Sequence, residues 1–66
     1  MMDLTEREQE IYNLICEKGL WKKEIAKKLV LSKTTIETHL NNIYLKCDVH
    51  DRATLIYRYW KDKNNE

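Results

Sequence analysis

A chain of 66 residues with no proline and a single glycine, Gly19, has few ways to turn sharply. Strand-rich folds need frequent turns built on Gly, Pro, Asn and Asp, so an all-β arrangement is set aside. What remains is helix joined by short turns, and the abundance of Lys and Glu agrees with that. At this length there is room for one domain only, near the lower limit of what folds without a staple or a partner subunit.

Capping signals divide the chain. Thr5 followed three residues later by Glu8 is a capping box, with Leu4 placed as a hydrophobic staple. Ile11, Leu14, Ile15 and the stem of Lys18 then form a helical stripe, and Gly19 supplies a left-handed end. A shorter helix follows from Lys22, burying Ile25, Ala26 and Leu29. Its start is unusual because Trp21, at the cap position, has no side-chain oxygen. Val30 and Leu31 make the connection, and Ser32 caps a third helix whose inward stripe is Ile36, His39 or Leu40, and Ile43. Asp48 takes the left-handed end of that helix and Val49 docks on the core. The last helix points Arg52's stem, Leu55, Ile56 and Tyr59 inward, and residues from Asp62 on read as a frayed polar tail. The spacing thus predicts an all-α, four-helix domain over 1–66, with helices at about 6–18, 22–29, 33–47 and 51–61.

Charge is unevenly placed. The net charge is +1, which alone speaks against a polyanionic partner. Yet residues 18–33 hold Lys18, Lys22, Lys23, Lys27, Lys28 and Lys33 against Glu24, half of the chain's 12 basic residues in one window. Local density sets the field that a phosphate feels. The bland alternative is a solvated lysine face. The first ten residues are acidic and lack an apolar run, so nothing resembles a targeting signal. No apolar stretch reaches the roughly 20 residues that span a bilayer, so a cytoplasmic protein without a membrane partner is expected.

Two short helices joined by a tight turn, the second opening Ser32-Lys33-Thr34-Thr35, have the form of a helix-turn-helix. Thr34, Thr38 and Asn41 fall on one outward face, and such side chains reach base edges in a major groove. At this point the sequence resembles the LuxR/GerE-type DNA-binding domain. Leu4-Thr5-Glu6-Arg7-Glu8 is similar to the family's L-T-x-R-E, and Lys23-Glu24-Ile25-Ala26-Lys27-Lys28-Leu29 to K-E-I-A-x-x-L. The run from Leu31 to His39 is similar to I-S-x-x-T-V-x-x-H. Ile43-Tyr44-Leu45-Lys46-Cys47 is similar to I-x-x-K-L, and Val49-His50-Asp51-Arg52 to V-x-x-R.

The resemblance implies sequence-specific binding of double-stranded DNA by a small bacterial or phage-like transcription regulator. Glu37, Thr38 and Asn41 would contact bases, and Lys22, Lys23, Lys33, Thr34, Thr35 and Lys46 phosphates. A homodimer would form through Thr54, Tyr57, Arg58 and Lys61, with RNA polymerase or another regulator as a further partner. The sequence starts just before the motif, so the expectation is a free-standing, GerE-like member, favoured by the Met1-Met2 start, with an excised fragment of a longer regulator as the alternative. The departures are Trp21 for the usual Ser or Thr, Lys22 for Asn, Glu37 for Lys and Asp48 for Gly. Losing the oxygen cap weakens the second helix by about 1 kcal/mol. An acid at position 37 can accept from a cytosine amino group but repels phosphate, which points to a distinct site preference.

Other readings were weighed. Cys16, His39, Cys47 and His50 are potential zinc ligands, but only Cys47 and His50 lie close in sequence, and the cysteines fit small buried positions. Two cysteines make no disulfide framework. With no phosphate loop and no chain to enclose a substrate, neither an enzyme nor a cofactor is expected. The serious alternative is a protein-interaction module that has lost DNA and pairs with another regulator. Near-neutral charge, Glu37 and the aromatic residues Tyr57, Tyr59 and Trp60 support it.

Overall fold

The computed structural model describes residues 3–64. Four helices follow one another: α1 (Glu6–Cys16), α2 (Lys22–Leu29), α3 (Lys33–Cys47) and α4 (Arg52–Asn64), with no strand among the described residues. α3 is the centre, with α1 and α2 packed on it and α4 packed on α1. Ile11 and Ile15 of α1, Ile25 of α2, Ile36, Leu40 and Ile43 of α3, Val49 of the turn after α3 and Leu55 of α4 form one core. The fold is therefore the all-α, four-helix helix-turn-helix arrangement that the spacing predicts.

Local chemistry explains each boundary. The α1 capping box is complete: the Glu8 N–H donates to Thr5 Oγ1 at 3.2 Å and the Thr5 N–H to Glu8 Oε1 at 3.0 Å. At its other end α1 stops two residues before the expected Lys18. Gly19 adopts φ +69° and its N–H reaches Ile15 O at 3.0 Å, while the Leu20 N–H reaches Leu14 O at 3.2 Å. This reversal puts Lys18 in the turn, exposed, so its stem contributes nothing to the buried stripe. Leu20 packs against the core instead. Cys16 is buried, as its position implies, and burial pushes its thiol up to about 11. Such a thiol is protonated and unreactive at neutral pH.

At the start of α2 only half of a capping box exists. The Trp21 N–H donates to Glu24 Oε1 at 2.8 Å, and nothing on the indole can accept in return. α2 closes with the Leu31 N–H on Ala26 O at 2.9 Å and Val30 held at φ 56°. These are the bonds of a Schellman turn, a place where glycine is favoured. A β-branched residue in the left-handed region clashes with its own carbonyl, at a cost of about 1–2 kcal/mol. The Val30 side chain, 88 % exposed, recovers none of that by burial. Val30→Gly is therefore expected to stabilise the domain by about 1 kcal/mol, net of glycine's larger unfolded-state entropy. Thermal melts would show it as a rise of about 4–8 °C, and a fall would refute the strain argument.

Ser32 caps α3, accepting the Thr35 N–H at 3.1 Å. Of the two inward candidates at its third turn, Leu40 is in the core and His39 is half-buried at its edge. Asp48 takes φ 56° and the Val49 N–H closes on Tyr44 O at 3.0 Å, again a Schellman turn. The α4 cap is Asp51, whose Oδ1 accepts the Thr54 N–H at 2.7 Å. That bond holds the Asp51 carboxyl below its usual range. α4 also runs beyond the expected 61. Lys63 Nζ donates to Tyr59 Oη at 3.0 Å across one turn and lies 5.2 Å from that ring, so Asp62 to Asn64 are helical where a frayed tail was expected. Met1, Met2, Asn65 and Glu66 lie outside the described residues, and with them the reading of the Met1-Met2 start.

Candidate nucleic-acid interface

With Ile36, Leu40 and Ile43 turned inward, the helical period carries Thr34, Thr38 and Asn41 to the opposite side of α3, and all three are exposed. Leu45, 77 % exposed, continues the same stripe one turn further. Sequence reasoning missed Leu45, although its spacing of four from Asn41 and seven from Thr38 carries the signal. The Thr38 hydroxyl donates to Thr34 O at 3.2 Å, which leaves only its oxygen lone pairs and its methyl for anything outside. The Ser32 and Thr35 hydroxyls lie 2.8 Å apart, so Thr35 is part of the α3 cap and half-buried.

The basic side chains separate into three environments. Lys23, Lys27 and Lys28 on α2 and Lys33 at the head of α3 are exposed. Lys22 Nζ meets Glu37 Oε2 at 3.2 Å, joining the first residue of α2 to the outer flank of α3. Lys46 Nζ lies 2.6 Å from Glu8 Oε1, with the carboxylate buried and the lysine mostly so. The bonds from Lys46 and from the Thr5 N–H hold the Glu8 carboxyl below its usual range, against burial, which pushes the other way. The Lys46 ammonium therefore braces α3 on α1, where an open phosphate contact was expected.

Two arginines have structural tasks that local spacing did not reveal. Arg52 Nη2 donates to Gly19 O at 2.7 Å and to Leu20 O at 3.1 Å, and its guanidinium lies 3.8 Å over the Trp21 ring. Arg58 Nη1 donates to Cys47 O at 2.8 Å and Asp48 O at 3.2 Å, neutralising the carbonyl end of α3. Of the four residues expected at a dimer contact, Arg58 is thus tied to α3. Thr54, Tyr57 and Lys61 stand exposed on the outer face of α4. Tyr57 is 63 % and Trp60 44 % exposed, and Lys61 Nζ sits 5.9 Å from the Tyr57 ring. Tyr59 instead packs edge-on against Tyr12 and Trp60, with its hydroxyl donating to Glu17 Oε2 at 2.7 Å.

Among the described residues no three His, Cys, Asp or Glu side chains gather where they could share a metal ion. No described helix is long and apolar enough to cross a membrane.

A short lysine-rich helix set at the head of a longer one, whose outer stripe is small and polar, defines a helix-turn-helix unit of the DNA-binding class. The chain belongs to the luxR family of bacterial regulatory proteins, whose GerE model matches residues 2–59. Members of this family are DNA-binding transcription regulators. The chain is 53 % identical over 53 residues to the response regulatory protein YgeK of Escherichia coli (strain K12), a match covering 80 % of this chain and 35 % of that protein. It is 42 % identical over 57 residues to the monoamine regulon transcriptional regulator of Klebsiella aerogenes, covering 86 % and 25 % respectively. Against the transcriptional regulatory protein LiaR of Bacillus subtilis (strain 168) it is 49 % identical over 50 residues, covering 76 % and 23 %. The matched region thus spans between about a quarter and a third of the length of these relatives.

Proposed function

We propose that the chain binds duplex DNA sequence-specifically as a transcription regulator, with α3 in the major groove and two copies paired through α4. The observation that carries this reading is the exposed Thr34, Thr38 and Asn41 stripe, together with the exposed Lys23, Lys27 and Lys28 of α2 and Lys33 at the head of α3. Thr38 and Asn41 read bases, Asn41 as a bidentate partner for adenine and Thr38 by its methyl against thymine or its oxygen toward a base amino group. Lys23, Lys33 and Thr34 hold phosphates, helped by the free N–H groups at the start of α3. Lys22 and Lys46 are left out of this set because acids hold them, and Thr35 because its hydroxyl serves the cap. Thr54, Tyr57, Trp60 and Lys61 form the dimer contact, which places the two recognition helices about 34 Å apart on one face of DNA.

Selection of bound duplexes from a random pool at low and moderate salt tests the reading, with a pseudo-palindromic motif as the expected result. Asn41→Ala should cost about 1–3 kcal/mol at one adenine position and leave the salt slope unchanged. Lys23→Ala should weaken all sequences alike and reduce the slope by about one. Equal losses on random and selected DNA for Asn41→Ala would refute base reading. Thr38→Val, which keeps a methyl but not the hydroxyl, separates the two modes of that residue. A second reading, a module that binds another protein, is favoured by the exposed Tyr57 and Trp60. It predicts no recovered motif.

A further inference from the structure

Glu37 is the feature that a DNA-binding surface has to explain, because an exposed carboxylate beside the base-reading stripe opposes every approaching phosphate. Its position gives the explanation. Glu37 lies one turn before Asn41 on α3, and the two line one depression of about 310 Å³ together with Lys22 and Trp21. Of the lysine and arginine on its lining, Arg52 is engaged by Gly19 O and Leu20 O, and Lys22 is the one that meets the carboxylate, at 3.2 Å from Oε2. Both side chains are about half exposed, so the pair opens to solvent instead of closing into the core. Oε1 takes no other hydrogen bond among the described residues and keeps its lone pairs.

We infer that Lys22 and Glu37 act as one specificity-determining unit, in which Lys22 positions and neutralises the carboxylate so that its free oxygen accepts from the amino group of a cytosine. This rests on the DNA-binding reading above and deepens it. A bare carboxylate in the groove adds a like charge to the duplex, whereas the pair presents an acceptor at no net charge. An acceptor-only group selects a base with an exocyclic amino group, and cytosine is the usual partner of Glu. Lys22 is then a positioning residue rather than a phosphate anchor. An exposed pair of this kind contributes little to folding, so its presence is better explained by recognition than by stability.

The test compares base preference at the single motif column that changes on Glu37→Gln. Wild type should prefer cytosine there by about tenfold or more. Glu37→Gln should move the preference to adenine, since an amide carries both a donor and an acceptor. Lys22→Ala should keep the wild-type melting temperature yet lower the cytosine preference at that column several-fold, and Lys22→Arg should restore it. In the Glu37→Gln background, Lys22→Ala should leave the column's preference unchanged. If Lys22→Ala weakens all bases at that column equally in both backgrounds, with a smaller salt slope, Lys22 is a phosphate anchor and the unit is overturned while base reading by α3 stands. A wild type that recovers no motif overturns the DNA reading, and the unit with it.

Discussion

Glu8→Gln should lower the melting temperature on the order of 10 °C at neutral pH, with the gap to wild type closing in acid. Glutamine keeps the bond to the Thr5 N–H, because its carbonyl oxygen still accepts, so the substitution removes the charge and spares the cap. What it takes away is the negative charge opposite Lys46, whose Nζ lies 2.6 Å from that same Oε1 and ties the start of α1 to the last turn of α3. The folded Glu8 carboxyl titrates below its ordinary value near 4.5, chiefly through the Lys46 bond and then the Thr5 N–H. A carboxyl with a depressed folded value contributes stability that is complete above the unfolded value and lost as the pH falls through the folded one. The wild-type advantage should therefore hold from neutrality down to about pH 5 and shrink below about pH 4. Lys46→Met should be worse than Glu8→Gln at neutral pH, because it strands a buried carboxylate, whereas Lys46 still has some water to reach. The double variant should recover part of that loss. A melting difference between wild type and Glu8→Gln that is the same at pH 3 and pH 7 would sink the ion-pair account.

The same pair shows which kind of information a sequence carries openly. Features set by neighbours three or four positions apart were legible: the Thr5 box, the Gly19 and Asp48 ends, the Ser32 cap and the inward Ile36 and Ile43. So was the identity of α3 as the exposed polar stripe, because helical period alone sorts Thr34, Thr38 and Asn41 from the core. Partners brought together by packing were not. Glu8 and Lys46 are 38 positions apart, Arg52 and Gly19 33, and Lys22 and Glu37 15. Each of those residues has a local or family-derived reason to stand out, and in each case the decisive neighbour lies on a distant helix or turn. The over-long α1 has a similar cause. Lys18 keeps the helical spacing, yet the reversal at Gly19 ends the hydrogen-bond ladder before it. The under-long α4 reflects the Tyr59–Lys63 contact, which a tail read as polar does not suggest.

Arg52→Ala should cost about 3 kcal/mol, and Arg52→Lys should recover less than half of it. The arginine holds the α1–α2 turn to the start of α4 through two carbonyls, Gly19 O and Leu20 O, and through the face of Trp21. Hydrogen bonds from a charged donor are worth about 1.5–3 kcal/mol each, and a guanidinium on an indole adds about 0.5–1 kcal/mol. The buried Nε–H, which has no partner among the described residues, offsets part of that sum. Lysine keeps the charge but has neither the planar fork nor the flat face, so it can serve one carbonyl and stack on nothing. In a double-mutant cycle, Arg52→Ala and Trp21→Ala should couple by about 1 kcal/mol, since each removes the same stacked contact. The consequence extends to the interface, because the turn that Arg52 fixes delivers Trp21 and Lys22 to the head of α2, beside Glu37. Under conditions where it is still folded, Arg52→Ala should therefore bind the selected duplex more weakly and with a reduced preference at the Glu37 column. An Arg52→Lys variant within about 0.5 kcal/mol of wild type would show that charge alone suffices and that the fork does not set the turn.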